Sequence, residues 1–175
     1  MNDRSIDGAE PPASLTRERL AHLTRLAARG YSRSLQIRLA ERDVSFGQWV
    51  FLRILWDEDG LTQRQLSEKA GLTEPTTHTA LQKLEARGYV TRRNLPGNRR
   101  RQHAFLTEAG RALREVLEPM ALEVNTVALA GLPAEEIEMF RRCLLKVIAN
   151  LEQDEASKGE AGFRMPPTRV LGQVD

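Results

Sequence analysis

Residues 45–56 leave almost no polar face to turn toward water: Phe46, Trp49, Val50, Phe51, Leu52, Ile54, Leu55 and Trp56 crowd every side of a helix begun by Ser45. A helix of that kind has to be enclosed on several sides, so the flanking chain must supply its walls. Ser45 stands where a side-chain oxygen would cap the first turn. Upstream, from 15 to about 41, there is no proline, and Leu20, Leu23, Ala27, Tyr31 and Leu35 recur every three or four residues. That spacing predicts a long amphipathic helix, here with a basic polar side.

Downstream the pattern shortens. Asp57-Glu58-Asp59-Gly60 breaks the buried helix, and Thr62-Gln63-Arg64-Gln65 has the form of a capping box for a short helix whose inner face is Leu66 and Ala70. Gly71 ends it, and Thr73-Glu74-Pro75 opens another that runs to Arg87-Gly88, with proline in the first turn and a carboxylate at the positive end of the dipole. Two short helices joined at a glycine, with Leu66, Ala70, Leu72, Ala80, Leu81 and Leu84 inward, predict a helix-turn-helix. Residues 89–93 and 101–106 then read as two strands around the turn formers Asn94, Pro96, Gly97 and Asn98, a β-hairpin or wing. Thr107-Glu108-Ala109-Gly110 starts a helix carrying Leu113, Val116, Leu117 and Met120, with a kink expected at Pro119, that continues to about 130. Pro133, Glu135 and Glu136 open a last helix with Ile137, Phe140, Leu144, Ile148 and Leu151 on one apolar stripe.

The expected fold class is mainly α with a small β-hairpin wing: a winged helix-turn-helix domain at 45–106 and a helical dimerisation region at 15–44 and 107–152. Residues 1–14 and 153–175, rich in Gly, Pro and charge, read as a disordered N-terminal tail and a flexible C-terminal tail.

Charge points to the partner. Between Glu85 and Glu108 there is no acidic residue, and the interval holds Arg87, Arg92, Arg93, Arg99, Arg100 and Arg101. With a net charge of +2 for the whole chain, the remainder sums to −4, so the molecule is polarised and an anion is drawn to one part of it. Arg99, Arg100 and Arg101 at a hairpin tip suit phosphate or a narrow minor groove. The outward positions of the helix at 73–87 are Pro75, Thr76, His78, Thr79, Gln82 and Lys83, small and hydrogen-bonding enough to approach base edges in a major groove. A polar outward face alone is equally a solvated one; the arginines beside it shift the balance toward double-stranded DNA. Arg64 and Arg93 complete the candidate DNA-binding set.

Other classes find little support. There is no Gly-rich phosphate loop, nucleophile motif or paired-carboxylate cluster, so neither an enzyme nor a cofactor is expected. His22, His78 and His103 have no cysteine or carboxylate at metal spacing. No apolar run approaches the ~20 residues needed to span a bilayer, and the first residues, MNDRSIDGAEPPAS, lack the order of a secretory signal. The single cysteine, Cys143, cannot form an internal disulfide, which fits a reducing cytoplasm.

The string Gly60-Leu61-Thr62-Gln63-Arg64-Gln65-Leu66-Ser67-Glu68, then LQKLEAR from Leu81 to Arg87 with Gly88-Tyr89-Val90, the arginine-rich hairpin and Leu106-Thr107-Glu108-Ala109-Gly110, closely resembles MarR-type winged-helix transcription regulators. The resemblance spans about residues 15–152. It implies a cytoplasmic homodimer whose first and last two helices interlock between subunits, two winged domains reading a pseudo-palindromic operator, a small ligand lodged between the dimerisation helices and the winged domain, and repression relieved by that ligand. One departure stands out: the family's wing tip usually carries an acidic residue just before its minor-groove arginine, and here Gly97-Asn98 precede Arg99 and Arg100.

A dimer follows independently from the last helix, whose stripe needs a cover that a small winged core cannot supply. Half-sites would then lie about one helical turn, ~34 Å, apart. For the effector, Trp49 and Trp56 with His22, Arg29, Tyr31 and Arg38 combine aromatic walls and cations, which suits a phenolic or benzoate-like acid or its CoA thioester. The plainer reading makes both tryptophans core and leaves the basic residues solvated. Cys143, next to the stripe of the last helix, is expected to be a packed thiol. Two alternatives remain: a winged helix that binds an acidic protein, and a redox-responsive regulator using Cys143.

Overall fold

The structure, a computed structural model, describes residues 8–10, 12–95 and 98–160; of Asn98, Arg99, Arg100 and Glu160 it describes the backbone alone. In chain order the elements are α1 (Leu20–Ala40), α2 (Phe46–Asp57), β1 (Leu61–Thr62), α3 (Gln63–Ala70), α4 (Glu74–Ala86), β2 (Val90–Leu95), β3 (Asn98–Leu106), α5 (Glu108–Ala128) and α6 (Ala134–Glu160). The fold is mainly helical with a three-stranded antiparallel sheet, as the fold class requires. The described residues fall into two compact units, one of 19–124 and one joining the N-terminal residues up to 18 with 125–160.

In the unit of 19–124, α2 is the centre. Ser45 Oγ accepts from Gln48 N at 3.2 Å while Gln48 Oε1 accepts from Ser45 N at 2.8 Å, a complete capping box. Trp49, Phe51, Leu52 and Leu55 are buried along the helix, walled by Leu35 and Leu39 of α1, Leu66 of α3, Leu81 and Leu84 of α4, Ala104 and Leu106 of β3 and Leu117 of α5. The second box is also complete: Thr62 Oγ1 accepts from Gln65 N at 3.3 Å and Gln65 Oε1 from Thr62 N at 2.9 Å. Gly71 at φ 64° ends α3 in the left-handed region that glycine enters without strain.

The sheet order is β1-β3-β2. β2 and β3 pair from Val90↔Leu106 to Leu95↔Asn98, with a register irregularity between Asn94 and Leu95. The hairpin runs further than expected: Asn94 and Asn98, read from sequence as turn residues, lie in strands. Pro96 and Gly97 lie outside the described residues. β1 was not foreseen; its Leu61 pairs with Ala104 and its Thr62 with His103.

A tight seam fixes the start of α5. Thr107 Oγ1 donates to Gly88 O at 2.6 Å and accepts from Gly110 N at 3.0 Å, and a Cβ at Gly110 would stand 2.0 Å from Tyr89 O, so only glycine fits. Trp56 Nε1 donates to Gly110 O at 2.9 Å. Asp59 adds a second fastening: Oδ1 accepts from Gly60 N at 3.0 Å and from Leu106 N at 2.8 Å, and Oδ2 meets Arg111 at 2.7 Å.

Several boundaries differ from the sequence reading. α1 begins at Leu20, not 15: Ala13–Leu15 instead forms a 3-10 turn, closed by Leu15 N donating to Pro12 O at 2.9 Å, and Arg19 is extended at ψ 142°. α5, by contrast, continues through Pro119 to Ala128, close to the expected end at about 130. α6 runs past 152 to Glu160, its last turns supported by Lys158 on Asp154 at 2.8 Å; of the expected tails, residues 1–7, 11 and 161–175 lie outside the described residues. Cys143, expected to be packed, is exposed, because among the described side chains of α6 none is buried within this one chain.

Candidate nucleic-acid interface

The α4 face is set by what the helix buries. Thr73 caps it, accepting from Thr76 N at 3.4 Å, with Pro75 in the first turn. Thr77, Leu81 and Leu84 are buried, and this turns Pro75, Thr76, His78, Thr79, Gln82 and Lys83 outward, all of them exposed. Their polar atoms are partly committed within the protein. Thr76 and Thr73 share a hydroxyl hydrogen bond of 2.9 Å, and Thr79 Oγ1 donates to Pro75 O at 3.1 Å. His78 Nδ1 lies 3.1 Å from Oε1 of Gln63, a residue of α3 that the sequence reading passed over as part of a capping box.

A groove of about 780 Å³ is lined by Gln63 and Arg64 of α3, Glu74 at the start of α4, and Arg101 and His103 of β3. It brings the wing strand and both helices of the helix-turn-helix to one concavity. Arg64 is steered along α3 by Glu68 at 2.8 Å. Arg101 is exposed. The side chains of Arg99 and Arg100 lie outside the described residues, although β3 carries both backbones.

Not every arginine of the acid-free interval faces outward unneutralised, and this corrects the charge reading. Arg92 binds Glu85 at the C-terminal end of α4, through Nε at 2.9 Å and Nη2 at 2.6 Å to Oε2, while Arg92 N donates to Oε1 at 3.2 Å. The Arg92 guanidinium holds the Glu85 carboxyl below its ordinary range, against the opposing effect of partial burial. Arg87 donates to Asp43 O. Arg93 lies over the Phe105 ring, 4.3 Å from its centroid, a cation–π contact that leaves its edge toward solvent. His103 is structural: Nδ1 donates to Gly60 O at 2.7 Å.

The candidate effector residues are placed as follows. Trp49 and Trp56 meet edge to face with centroids 5.5 Å apart; Trp49 is buried and Trp56 gives its indole hydrogen to Gly110. Tyr31 packs against the same core. Arg38 reaches Ser34 Oγ at 2.9 Å and Glu123 Oε1 of α5 at 3.0 Å, and its buried Nε has no partner among the described residues. The Arg38 hydrogen bond holds the Glu123 carboxyl below its ordinary range. His22 is half-buried and Arg29 exposed on α1. Among the described residues no cluster of three His, Cys, Asp or Glu could hold a metal ion, and no helix is long and apolar enough to cross a membrane.

Comparison with known proteins places this arrangement. The sequence pattern described as the MarR family matches residues 44–101. The transcriptional regulator HosA of Escherichia coli O111:H- is 30% identical over 106 residues, covering 61% of this chain and 78% of HosA. The HTH-type transcriptional repressor NicR of Pseudomonas putida is 28% identical over 131 residues, 75% of this chain and 83% of NicR. The Mycobacterium tuberculosis MarR family protein Rv2887, 28% identical, superposes with a TM-score of 0.63 in its complex with DNA, over 74% of this chain and 98% of that one. Its complex with salicylic acid gives a TM-score of 0.63 over 75% and 98%.

Proposed function

Because this chain belongs to the MarR family of transcriptional regulators, we propose that it is a homodimeric repressor that reads a pseudo-palindromic operator in double-stranded DNA and is released by a small aromatic acid. The observation that carries the reading is the groove shared by α3, α4 and β3, with the exposed polar face of α4 beside it. Thr76, Thr79, Gln82 and His78 supply base-edge contacts, with Pro75 and Lys83 flanking them; Arg64, Arg93, Arg99, Arg100 and Arg101 supply phosphate or minor-groove contacts. The DNA complex of Rv2887 supports the same use of the fold, and the name of NicR supports repression.

The dimer is supported by α6, on which Met139, Phe140, Leu145, Val147, Ile148 and Leu151 are all exposed in the single chain. The effector site takes Tyr31, Arg38, Trp49 and Trp56, with His22 and Arg29 on the same α1 helix. Glu123 pairs with Arg38 at 3.0 Å, and an aromatic carboxylate competes for that guanidinium. Release requires the acid to bind the DNA-free arrangement more tightly than the DNA-bound one. The salicylic acid complex of Rv2887 supports this chemistry. We place the protein in the cytoplasm and give it no catalytic role.

Fluorescence anisotropy of the purified protein on fragments from its own genome tests the reading. A bound fragment should contain an inverted repeat and take one dimer. Neutralising about six phosphates per protomer should give a log–log salt slope near −5 per protomer, and salicylate-like acids should release the fragment. Equal affinity for every fragment, with no effect of any aromatic acid, would reject it.

A further inference from the structure

We propose that Gln63 fixes the proton on the ring of His78 and thereby makes His78 read an exocyclic amine, that of adenine or of cytosine, in the major groove. This rests on the operator-reading function above. Gln63 is the first residue of α3, half-buried, and its Oε1 stands 3.1 Å from His78 Nδ1. With its oxygen turned toward the ring, the Gln63 carboxamide accepts and Nδ1 carries the hydrogen; a neutral imidazole has one such hydrogen, and Nε2 is left with a lone pair. His78 is exposed on the α4 face, which turns that acceptor toward whatever α4 docks against.

Among major-groove edges the hydrogen-bond donors are the N6 amine of adenine and the N4 amine of cytosine; guanine and thymine offer acceptors and a methyl group. An acceptor at Nε2 therefore selects adenine or cytosine. Thr79 leans the same way. Its hydroxyl hydrogen is given to Pro75 O at 3.1 Å, so toward a base its oxygen accepts. Two side chains that could each take either role are thus biased to one by bonds inside the protein. Gln63 acts through His78 and is a positioning residue.

The test has two parts. Long-range proton–nitrogen NMR of the His78 ring in the free full-length protein, in alkaline buffer, should show the Nδ1–H tautomer in wild type and in Gln63→Glu, whose carboxylate also only accepts. In Gln63→Leu the ring should revert toward Nε2–H. Selection from random duplexes should then give wild type and Gln63→Glu a preference for adenine or cytosine at one position per half-site, lost in Gln63→Leu and His78→Ala while other positions keep theirs. Putting purine in place of adenine, or pyrimidin-2-one in place of cytosine, at that position identifies the donor. The matching deletion should weaken wild type roughly two- to tenfold and leave His78→Ala unchanged. An Nε2–H ring in wild type, or selection that neither variant alters, overturns the proposal alone; a wild type that selects no sequence overturns the operator reading with it.

Discussion

Helices α4 and α6 each turn a broad face to water, and the chemistry of those faces is opposite. α4 buries Thr77, Leu81 and Leu84 and shows Thr76, His78, Thr79, Gln82 and Lys83. α6 shows Phe140, Leu145, Ile148 and Leu151, with Leu145 60% exposed. Water already solvates the first face, so a partner there adds recognition and not stability. The second face, whose side chains are about half covered already, stands to gain about 1 kcal/mol or somewhat more for each large apolar side chain a partner covers, so a partner there is a condition of the fold's economy. Exposure by itself therefore marks no function; the difference lies in what each face loses by staying wet.

That contrast can be broken most decisively at α6. Ile148→Asp should split the proposed dimer, with a penalty of about 2 kcal/mol or more at the interface, seen as a halved mass in sedimentation and a matching loss of duplex affinity. A variant that stays dimeric would mean α6 is not the covered face. At α4, Thr76→Ala or Gln82→Ala should weaken the cognate site by about 1–3 kcal/mol and relax one base position, with the mass unchanged. Equal loss on all sequences would deny that face its reading role.

Glu85→Gln tests the tie between the α4 end and the wing. Glu85 has its carboxyl held below the ordinary 4.5 by Arg92, so the pair stabilises the fold at neutral pH and fades as pH falls through the ordinary carboxylate range and below it. The melting gap between wild type and variant, about 1 kcal/mol after solvent screening, should be widest near pH 7 and close in acid. A gap independent of pH would assign the loss to packing. Smallest of all, Arg101→Ala should lower affinity for every sequence alike and flatten the salt slope by about 1.

Local signals were legible wherever one short stretch of chain decides the outcome. The Thr62/Gln65 box, Thr73-Glu74-Pro75 at the head of α4 and Gly71 in the left-handed region all sit within a few residues of the groups they satisfy. The outward α4 positions followed from period alone. What stayed hidden needed distant partners. β1 is two residues long and owes its existence to Ala104 and His103; a dipeptide has no period to read. The acid-free interval was real, yet its edge residue Glu85 reaches Arg92 across the turn after α4, and charge counting along the chain cannot see such a reach. The indole hydrogen of Trp56 goes to Gly110, 54 residues on, a partner that no local pattern announces. Cys143 was assigned to an interior that a lone α6 does not form.

One carboxylate, that of Asp59, fastens the turn after α2, the end of β3 and the first turn of α5. Because these attachments share a single rivet, none of the three segments can creep without dragging the others, and replacing the acid by a hydrocarbon would strand an amide and loosen a guanidinium in the same stroke. Even asparagine would hold only the backbone half of the joint, its amide nitrogen having nothing to offer the Arg111 guanidinium.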